Sequence, residues 1–359
     1  MTETIPHISH KKLLKIDKDY EQSASLVNLV YVLDSSPGIH RIKVRKKIVY
    51  VFEEKEIKNK EQLERIKKLA IPPSWENVWI CPHKNGHLQA TGLDLRKRKQ
   101  YKYHRLWQVL RNQTKYHRLF EFGAALPALR LSIEKDISKK ELTKQKVLAT
   151  ILSLMERTYI RIGNSAYEKS NGSYGLTTLK DKHATIEKHT VTFSFKGKKG
   201  VEHTISLRNK KIAKIVKDCR DIPGRELFQY YDEDGTRKSI DSGAVNQYIK
   251  DKTGQDFSAK DFRTWAGTLH ALHALRSVND AITEAERKKN VVEVLNVVSE
   301  KLGNTRTVCK KYYVHPGLIQ LYEDDQLNSY LKELDKIEKD DNQSGLTAEE
   351  QVLMQILKK

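Results

Sequence analysis

Five side chains in this 359-residue chain form a set that could act on a phosphodiester: Arg161, Lys198, Arg263, Asn304 and Tyr313. Two guanidinium groups would neutralise the non-bridging oxygens, a lysine would protonate the leaving oxygen, and a phenol would attack phosphorus. No acidic cluster accompanies them, so the inventory suits transfer without a metal. Each residue also has a plainer reading. Lys198 lies in Lys196-Gly197-Lys198-Lys199-Gly200, which reads as a solvated hairpin tip, and Asn304 after Gly303 reads as loop punctuation, with Asn304 or Thr305 capping the next helix. Tyr313 could be a core aromatic, and Arg263 a half-exposed surface arginine one turn into a capped helix. Arg161 follows Leu154 by seven residues, so a continuing helix would set it on the apolar face. A buried cation without an anion is costly, which leaves two options open: an internal carboxylate or a bound anion. Cys81, His83 and His87 lack a fourth zinc ligand, and no metal is expected.

A second feature is Leu95 to Arg105, with six Lys/Arg, two tyrosines, one histidine and no acid. Interleaving Arg96, Lys97, Arg98 and Lys99 with Tyr101 and Tyr103 suits a phosphate backbone together with base or sugar faces, although a solvated interdomain linker would look similar. The whole chain carries 66 Lys+Arg against 46 Asp+Glu, a formal charge of +20. Such an excess points to a polyanionic partner, nucleic acid before an anionic membrane surface. The three cysteines, Cys81, Cys219 and Cys309, are odd in number and far apart, which argues against a disulfide framework. Met1 to Ile16 lacks the apolar core of a signal peptide, and Val147 to Met155 is about half the length needed to span a bilayer. A cytoplasmic, nucleoid-associated protein with no membrane partner is expected.

The elements that must position these groups follow from periodicity. Leu26 to Leu33 is apolar and β-rich, and Ile39 to Val44 and Lys47 to Phe52 read as strands of a meander. Asn59 with Gln62 caps a helix that Pro72-Pro73 ends. Val78 to Cys81 and His87 to Thr91 suggest a hairpin, with Asn85-Gly86 supplying positive backbone angles. From His104 helices dominate: Ser138 with Glu141 is expected to open one carrying Val147, Ile151, Leu154 and Met155. Strands return over Thr190 to Leu207, with a third near Leu227 to Tyr231. Ser258 with Asp261 caps a helix bearing Phe262 and Trp265, Ala281 to Leu302 forms another, and Thr347 with Glu350 caps a last one. The expected organisation is α+β: a small β-rich domain over residues 1–103, a larger mainly helical domain over 104–337, and a polar linker with a helix over 338–359.

Six separate motifs, in order, carry a resemblance to the bacterial and poxvirus type of type IB DNA topoisomerase. They are Pro72-Pro73-Ser74-Trp75; Gly86-His87-Leu88-Gln89-Ala90-Thr91-Gly92-Leu93-Asp94 with Arg98-Lys99-Gln100-Tyr101; Ile160-Arg161-Ile162-Gly163; Tyr174-Gly175-Leu176-Thr177-Thr178-Leu179; Lys260-Asp261-Phe262-Arg263-Thr264; and Gly303-Asn304-Thr305 leading to Tyr313-Val314-His315-Pro316.

The resemblance implies two domains that clamp duplex DNA as a monomer, with Tyr313 as the nucleophile of a 3′-phosphotyrosyl intermediate. It implies Arg161 and Arg263 as transition-state arginines and Lys198 as the general acid, with Lys196 and Lys199 as neighbouring competitors. Asn304 would donate a hydrogen bond to a phosphate oxygen, and Tyr167 would contact DNA. Supercoil relaxation by strand rotation would need neither ATP nor any other cofactor, and no GxxxxGK[ST] motif is present. Two alternatives stand beside it. A tyrosine recombinase uses similar groups, but its usual histidine two residues before the second arginine is Asp261 here. The other is a basic nucleic-acid-binding protein without chemistry.

Overall fold

A computed structural model describes residues 19–44, 47–95, 97–278, 281–334 and 344–358. The chain forms two units, one up to Arg118 and one from Leu119. The fold is α+β, and among the described residues no helix is long and apolar enough to cross a membrane.

The first unit contains α1 (Tyr20–Ser25), β1 (Ile39–Val44), β2 (Lys47–Phe52), β3 (Lys55–Glu56), α2 (Lys60–Lys68), β4 (Glu76–Ile80), β5 (Leu88–Leu93) and β6 (Lys99–Tyr103). The strands form one antiparallel sheet in the order β3-β2-β1-β4-β5-β6. Asn59 caps α2 by accepting the Gln62 N–H, and Ile66 from that helix packs on Ile39, Val78, Ile80 and Ala90. Leu26 to Leu33 departs from the strand expectation. It makes only one parallel bridge, Val30 to Gly86, and Val27 and Leu29 instead pack with Trp107 and Leu110. The turn between β4 and β5 also differs, because neither Asn85 nor Gly86 has a positive φ. Seven residues separate the strands, too many for a two-residue turn, and the buried Gln89 amide holds the loop by donating to the carbonyls of His83, Lys84 and Gly86.

The helix α3 (Arg105–Ile137) contains the division between the units. Beyond it come α4 (Lys144–Thr158), α5 (Ser165–Asn171), β7 (Ala184–Glu187), β8 (Thr190–Lys196), β9 (Glu202–Arg208), α6 (Lys210–Arg220), β10 (Gln229–Tyr231), β11 (Arg237–Ser239) and α7 (Ser242–Thr253). Then follow α8 (Ala259–Ser277), α9 (Glu284–Leu302), α10 (Arg306–Tyr312), α11 (Pro316–Glu323), α12 (Asn328–Leu334) and α13 (Ala348–Lys358). The centre is α4, whose Val147, Ile151, Leu154 and Met155 are fully buried, each side chain contributing about 1.5–3 kcal/mol relative to exposure. Phe122 of α3 meets Phe262 of α8 edge to face at 4.9 Å.

Three expectations are corrected here. Thr143, not Ser138, caps α4, accepting the Lys146 N–H; Ser138 instead bonds back to the Glu134 carbonyl at the end of α3. The third strand of the sheet is β7, in the order β7-β8-β9, whereas β10 pairs with β11 in a separate ribbon. Helix α4 stops at Tyr159, which takes the left-handed conformation at φ 57°, so Arg161 lies beyond the helix. The capping boxes at Ser258–Asp261 and Thr347–Glu350 form as expected. The expected linker from Glu338 falls mostly outside the described residues.

Helix α13 is locked by charge as well as by packing. The nearly inaccessible Glu350 carboxylate takes two hydrogen bonds from Arg130, at 2.9 and 2.7 Å, and a third from the Trp265 indole at 3.0 Å. Arg130 also pairs with Glu156.

Candidate active site

Arg161 is held first through its backbone. The Leu176 N–H donates to the Arg161 carbonyl at 2.8 Å and the Thr177 N–H to the Ile162 carbonyl at 2.6 Å, so the Ile160–Gly163 and Tyr174–Leu179 motifs form one structure. The guanidinium is half-buried, and one of its nitrogens donates to the Gly303 carbonyl at 2.7 Å and to Asn304 Oδ1. Neither acceptor carries charge. Burial, and then the neighbouring Arg263, pull its pKa down to about 10, which still leaves a cation at neutral pH.

Arg263 is buried at 6% exposure, which corrects the surface reading. Its terminal nitrogens donate to the Tyr159 carbonyl at 2.5 Å and the Leu302 carbonyl at 2.8 Å, while its buried Nε has no protein partner. Burial lowers its pKa and the Tyr313 side chain pulls it back up. Among the described residues neither arginine has a carboxylate partner. Of the two options open for Arg161, the internal carboxylate is therefore not found.

Tyr313 caps the C-terminus of α10, its N–H donating to the Cys309 carbonyl at 2.9 Å, and its ring centre lies 5.3 Å from the Arg263 guanidinium carbon. Helix α8 also grips its backbone. The Thr268 hydroxyl lies 3.2 Å from the Tyr313 carbonyl and accepts the His315 N–H at 3.1 Å. At Gly267 a Cβ would sit 2.5 Å from the Tyr313 carbonyl oxygen, so only glycine allows this approach. The neighbouring Tyr312 is exposed, with the Lys311 ammonium over its ring.

Asn304 lies between two caps. Gly303 ends α9 at φ 57° and Thr305 starts α10 by accepting the Val308 N–H, which leaves the Asn304 side chain free of the capping role. Its Oδ1 accepts from Arg161, whereas its Nδ2 is buried without a protein acceptor. Arg161, Arg263, Asn304 and Tyr313 are thus brought together, and the unused donors at Arg263 Nε and Asn304 Nδ2 match the needs of an anion with several oxygens.

Among the described residues no hydrogen bond or ion pair joins Lys198 to these four. It is exposed at the β8–β9 tip, where Lys199 takes φ 64°. What reaches the site from that hairpin is His203 of β9, a residue sequence reasoning passed over. Gly267 and Thr268 were also missed. His203 stands five residues past Lys198, and Thr268 five past Arg263, with no local pattern to single either out.

In the first unit the basic run becomes the edge strand β6 and the turn before it, not a linker. It has no acid of its own, yet the fold supplies three: Lys97 pairs with Glu76, Arg98 with Asp94 at 2.6 Å, and Lys99 with Asp34 at 2.6 Å. Tyr101 and Tyr103 stack at 5.9 Å on an exposed face, and Arg96 lies outside the described residues. Tyr167 is exposed on α5, whose N-terminus Asn164 caps. His87 is engaged internally, its Nδ1 accepting the Val32 N–H at 3.1 Å. Among the described residues no group of three His, Cys, Asp or Glu could hold a metal ion.

A half-buried and a buried arginine beside a tyrosine, inside an α+β fold, define a candidate site of the kind that could bind a phosphodiester, and comparison with known proteins makes the class specific. The family model of the eukaryotic DNA topoisomerase I catalytic core matches residues 98–341, and that of the bacterial DNA topoisomerase IB N-terminal domain matches residues 50–94. The chain is 32% identical over 294 residues to DNA topoisomerase 1B of Acanthamoeba polyphaga mimivirus, covering 80% of this chain and 88% of that protein. It is 23% identical to DNA topoisomerase 1B of Vaccinia virus (strain Copenhagen), over 65% of this chain and 72% of that one. DNA topoisomerase 1 of Schizosaccharomyces pombe is 23% identical over 52% of this chain and 22% of its own length. The chain belongs to the type IB DNA topoisomerases of the bacterial and poxvirus type. It is accordingly an isomerase whose substrate is DNA.

Proposed function

We propose that the protein relaxes supercoiled DNA by opening one strand of the duplex through Tyr313. The phenolic oxygen bonds to the scissile phosphorus, the bond to the 5′ oxygen breaks, and a 3′-phosphotyrosyl link holds one end while the free 5′-hydroxyl end rotates about the intact strand. Attack by that hydroxyl reverses the exchange. Because the phosphodiester energy stays in the protein–DNA bond, resealing needs no nucleotide.

The observation that carries this reading is the pair of guanidinium groups beside Tyr313, both hydrogen-bonded only to neutral oxygens. Arg161 and Arg263 neutralise the charge that builds on the non-bridging oxygens, and Asn304 contributes its unused amide donor. Asn304 cannot act as an acid, so the leaving oxygen must take its proton elsewhere. Lys198 is the candidate, supported by its place 37 residues past Arg161, which matches the general-acid lysine of the family, and by the hairpin that carries it; protonating an alkoxide is worth about 10²-fold or more. Lys97, Arg98, Lys99, Tyr101 and Tyr103, with Tyr167 of the second unit, supply backbone and base contacts to duplex DNA held by a monomeric clamp.

The test is plasmid relaxation in chelator without ATP. Wild-type protein should relax supercoils of both signs, and Tyr313→Phe should bind DNA yet form no covalent adduct. Loss of the adduct in Tyr312→Phe instead would move the nucleophile by one residue. Lys198→Ala should slow cleavage of an ordinary strand but not of one whose 5′ leaving atom is sulfur, since a thiolate departs without a proton.

A further inference from the structure

The β8–β9 hairpin brings the His203 ring to the site. His203 of β9 is the register partner of Phe195 on β8, and their rings stack at 5.2 Å. The imidazole also abuts two glycines. A Cβ on Gly197 would lie 2.5 Å from its Cδ2 and 2.6 Å from its Nε2, and a Cβ on Gly303 would lie 2.8 Å from its Cε1. No side chain larger than hydrogen fits at either place, so the imidazole edge lies between two bare Cα positions.

Both glycines belong to segments with a proposed chemical task. Gly197 directly precedes Lys198, and its N–H and carbonyl close the tip through Val201 at 2.7 Å and Gly200 at 3.1 Å. Gly303 directly precedes Asn304, and its carbonyl accepts from Arg161. The same ring therefore touches the base of the lysine loop and the turn that sets Arg161 and Asn304. Arg161, Gly197, His203 and Leu302 line one small cavity at this junction.

We propose that His203 is a positioning residue: an imidazole spacer, seated between Gly197 and Gly303, that fixes the height and direction of the Lys198 loop relative to the scissile phosphate. The inference rests on the reading of Lys198 as general acid. It explains why an exposed loop tip can serve as an acid without a hydrogen bond or ion pair to the other four residues in the absence of DNA: the root of the loop is held while its tip stays free. His203 itself transfers no proton in this scheme. Burial, and then the two nearby arginines, favour its neutral form, so it adds no further cation to the site.

The experiment is single-turnover cleavage by the full chain of two matched duplexes, one with oxygen and one with sulfur at the 5′ position of the scissile phosphate. His203→Ala should slow the oxygen substrate by about 10- to 100-fold, the scale of a small misplacement of a catalytic group, and the sulfur substrate by less than about threefold. Gly197→Ala retains the imidazole but drives the loop off it, and should show the same selectivity even if His203→Ala fails to fold. His203→Ala with Lys198→Ala should be no slower than Lys198→Ala alone. Equal slowing of both substrates in His203→Ala and Gly197→Ala, or additive loss in the double variant, would overturn the proposal while leaving a selective Lys198→Ala defect intact. A Lys198→Ala variant slowed equally on both substrates would overturn the general-acid reading, and this inference with it.

Discussion

Arg263 and Tyr313, fifty residues apart in sequence, face each other across 5.3 Å, and both are set by the same helix. Helix α8 carries the guanidinium at its second turn and, one turn further on, the Gly267-Thr268 pair that grips the Tyr313 backbone. The distance between the guanidinium and the Tyr313 ring is therefore a property of one rigid element.

Arg263→Lys should keep the charge and lose the geometry. An ammonium cannot span the Tyr159 and Leu302 carbonyls as the planar fork does. Single-turnover cleavage should fall by about 10²-fold or more, the usual cost of removing one aimed donor, with DNA affinity nearly unchanged in gel shift. A rate within threefold of wild type would contradict the assignment.

Thr268→Val should leave the fold intact and remove the hydroxyl between the Tyr313 carbonyl and the His315 N–H. Covalent adduct formation should slow by about tenfold, and Thr268→Ser should restore it. Both are read by quenched-flow trapping of the phosphotyrosyl species.

Glu350→Ala should destabilise the second unit by about 3 kcal/mol, because Arg130 is left in a buried position with Glu156 as its remaining carboxylate and the Trp265 indole loses its acceptor. The urea midpoint should drop at constant slope. An unchanged midpoint would mean that α13 contributes little to the folded state.

Acid should weaken the first unit through His87. Burial pushes its pKa down to about 4 from an ordinary value near 6.5, so the unfolded chain takes up a proton between those limits that the folded chain refuses. Stability is then full above pH 6.5, falls as the pH drops from 6.5 toward 4, and loses no more than about 3 kcal/mol through this group. Imidazole resonances that titrate near 6.5 in the folded protein would refute this.

How much of this could be read from the sequence depends on how local each signal is. Asn59–Gln62, Ser258–Asp261 and Thr347–Glu350 were legible because a capping residue and its partner are three positions apart, and the strands at Ile39–Val44 and Lys47–Phe52 because short β-rich runs beside turn residues are local signals too. Ser138 carried the same pattern but lost to Thr143, since α3 runs through Ile137 and uses Ser138 at its own end. The candidate site residues were picked out by chemical type and by motif order, not by environment. The burial of Arg263, the carboxylates beside Lys97 and Lys99 and the seat of His203 all depend on chain segments 6 to 104 residues away meeting in space, which no periodicity encodes.

The lock on α13 reaches further than stability. Trp265, which donates to Glu350, stands two residues from Arg263 on α8, so the helix that aims the charge leans on a segment synthesised well after the nucleophile. A polypeptide that has emerged only as far as Tyr313 lacks this prop, so α8 takes its last brace only when residues 348–358 dock.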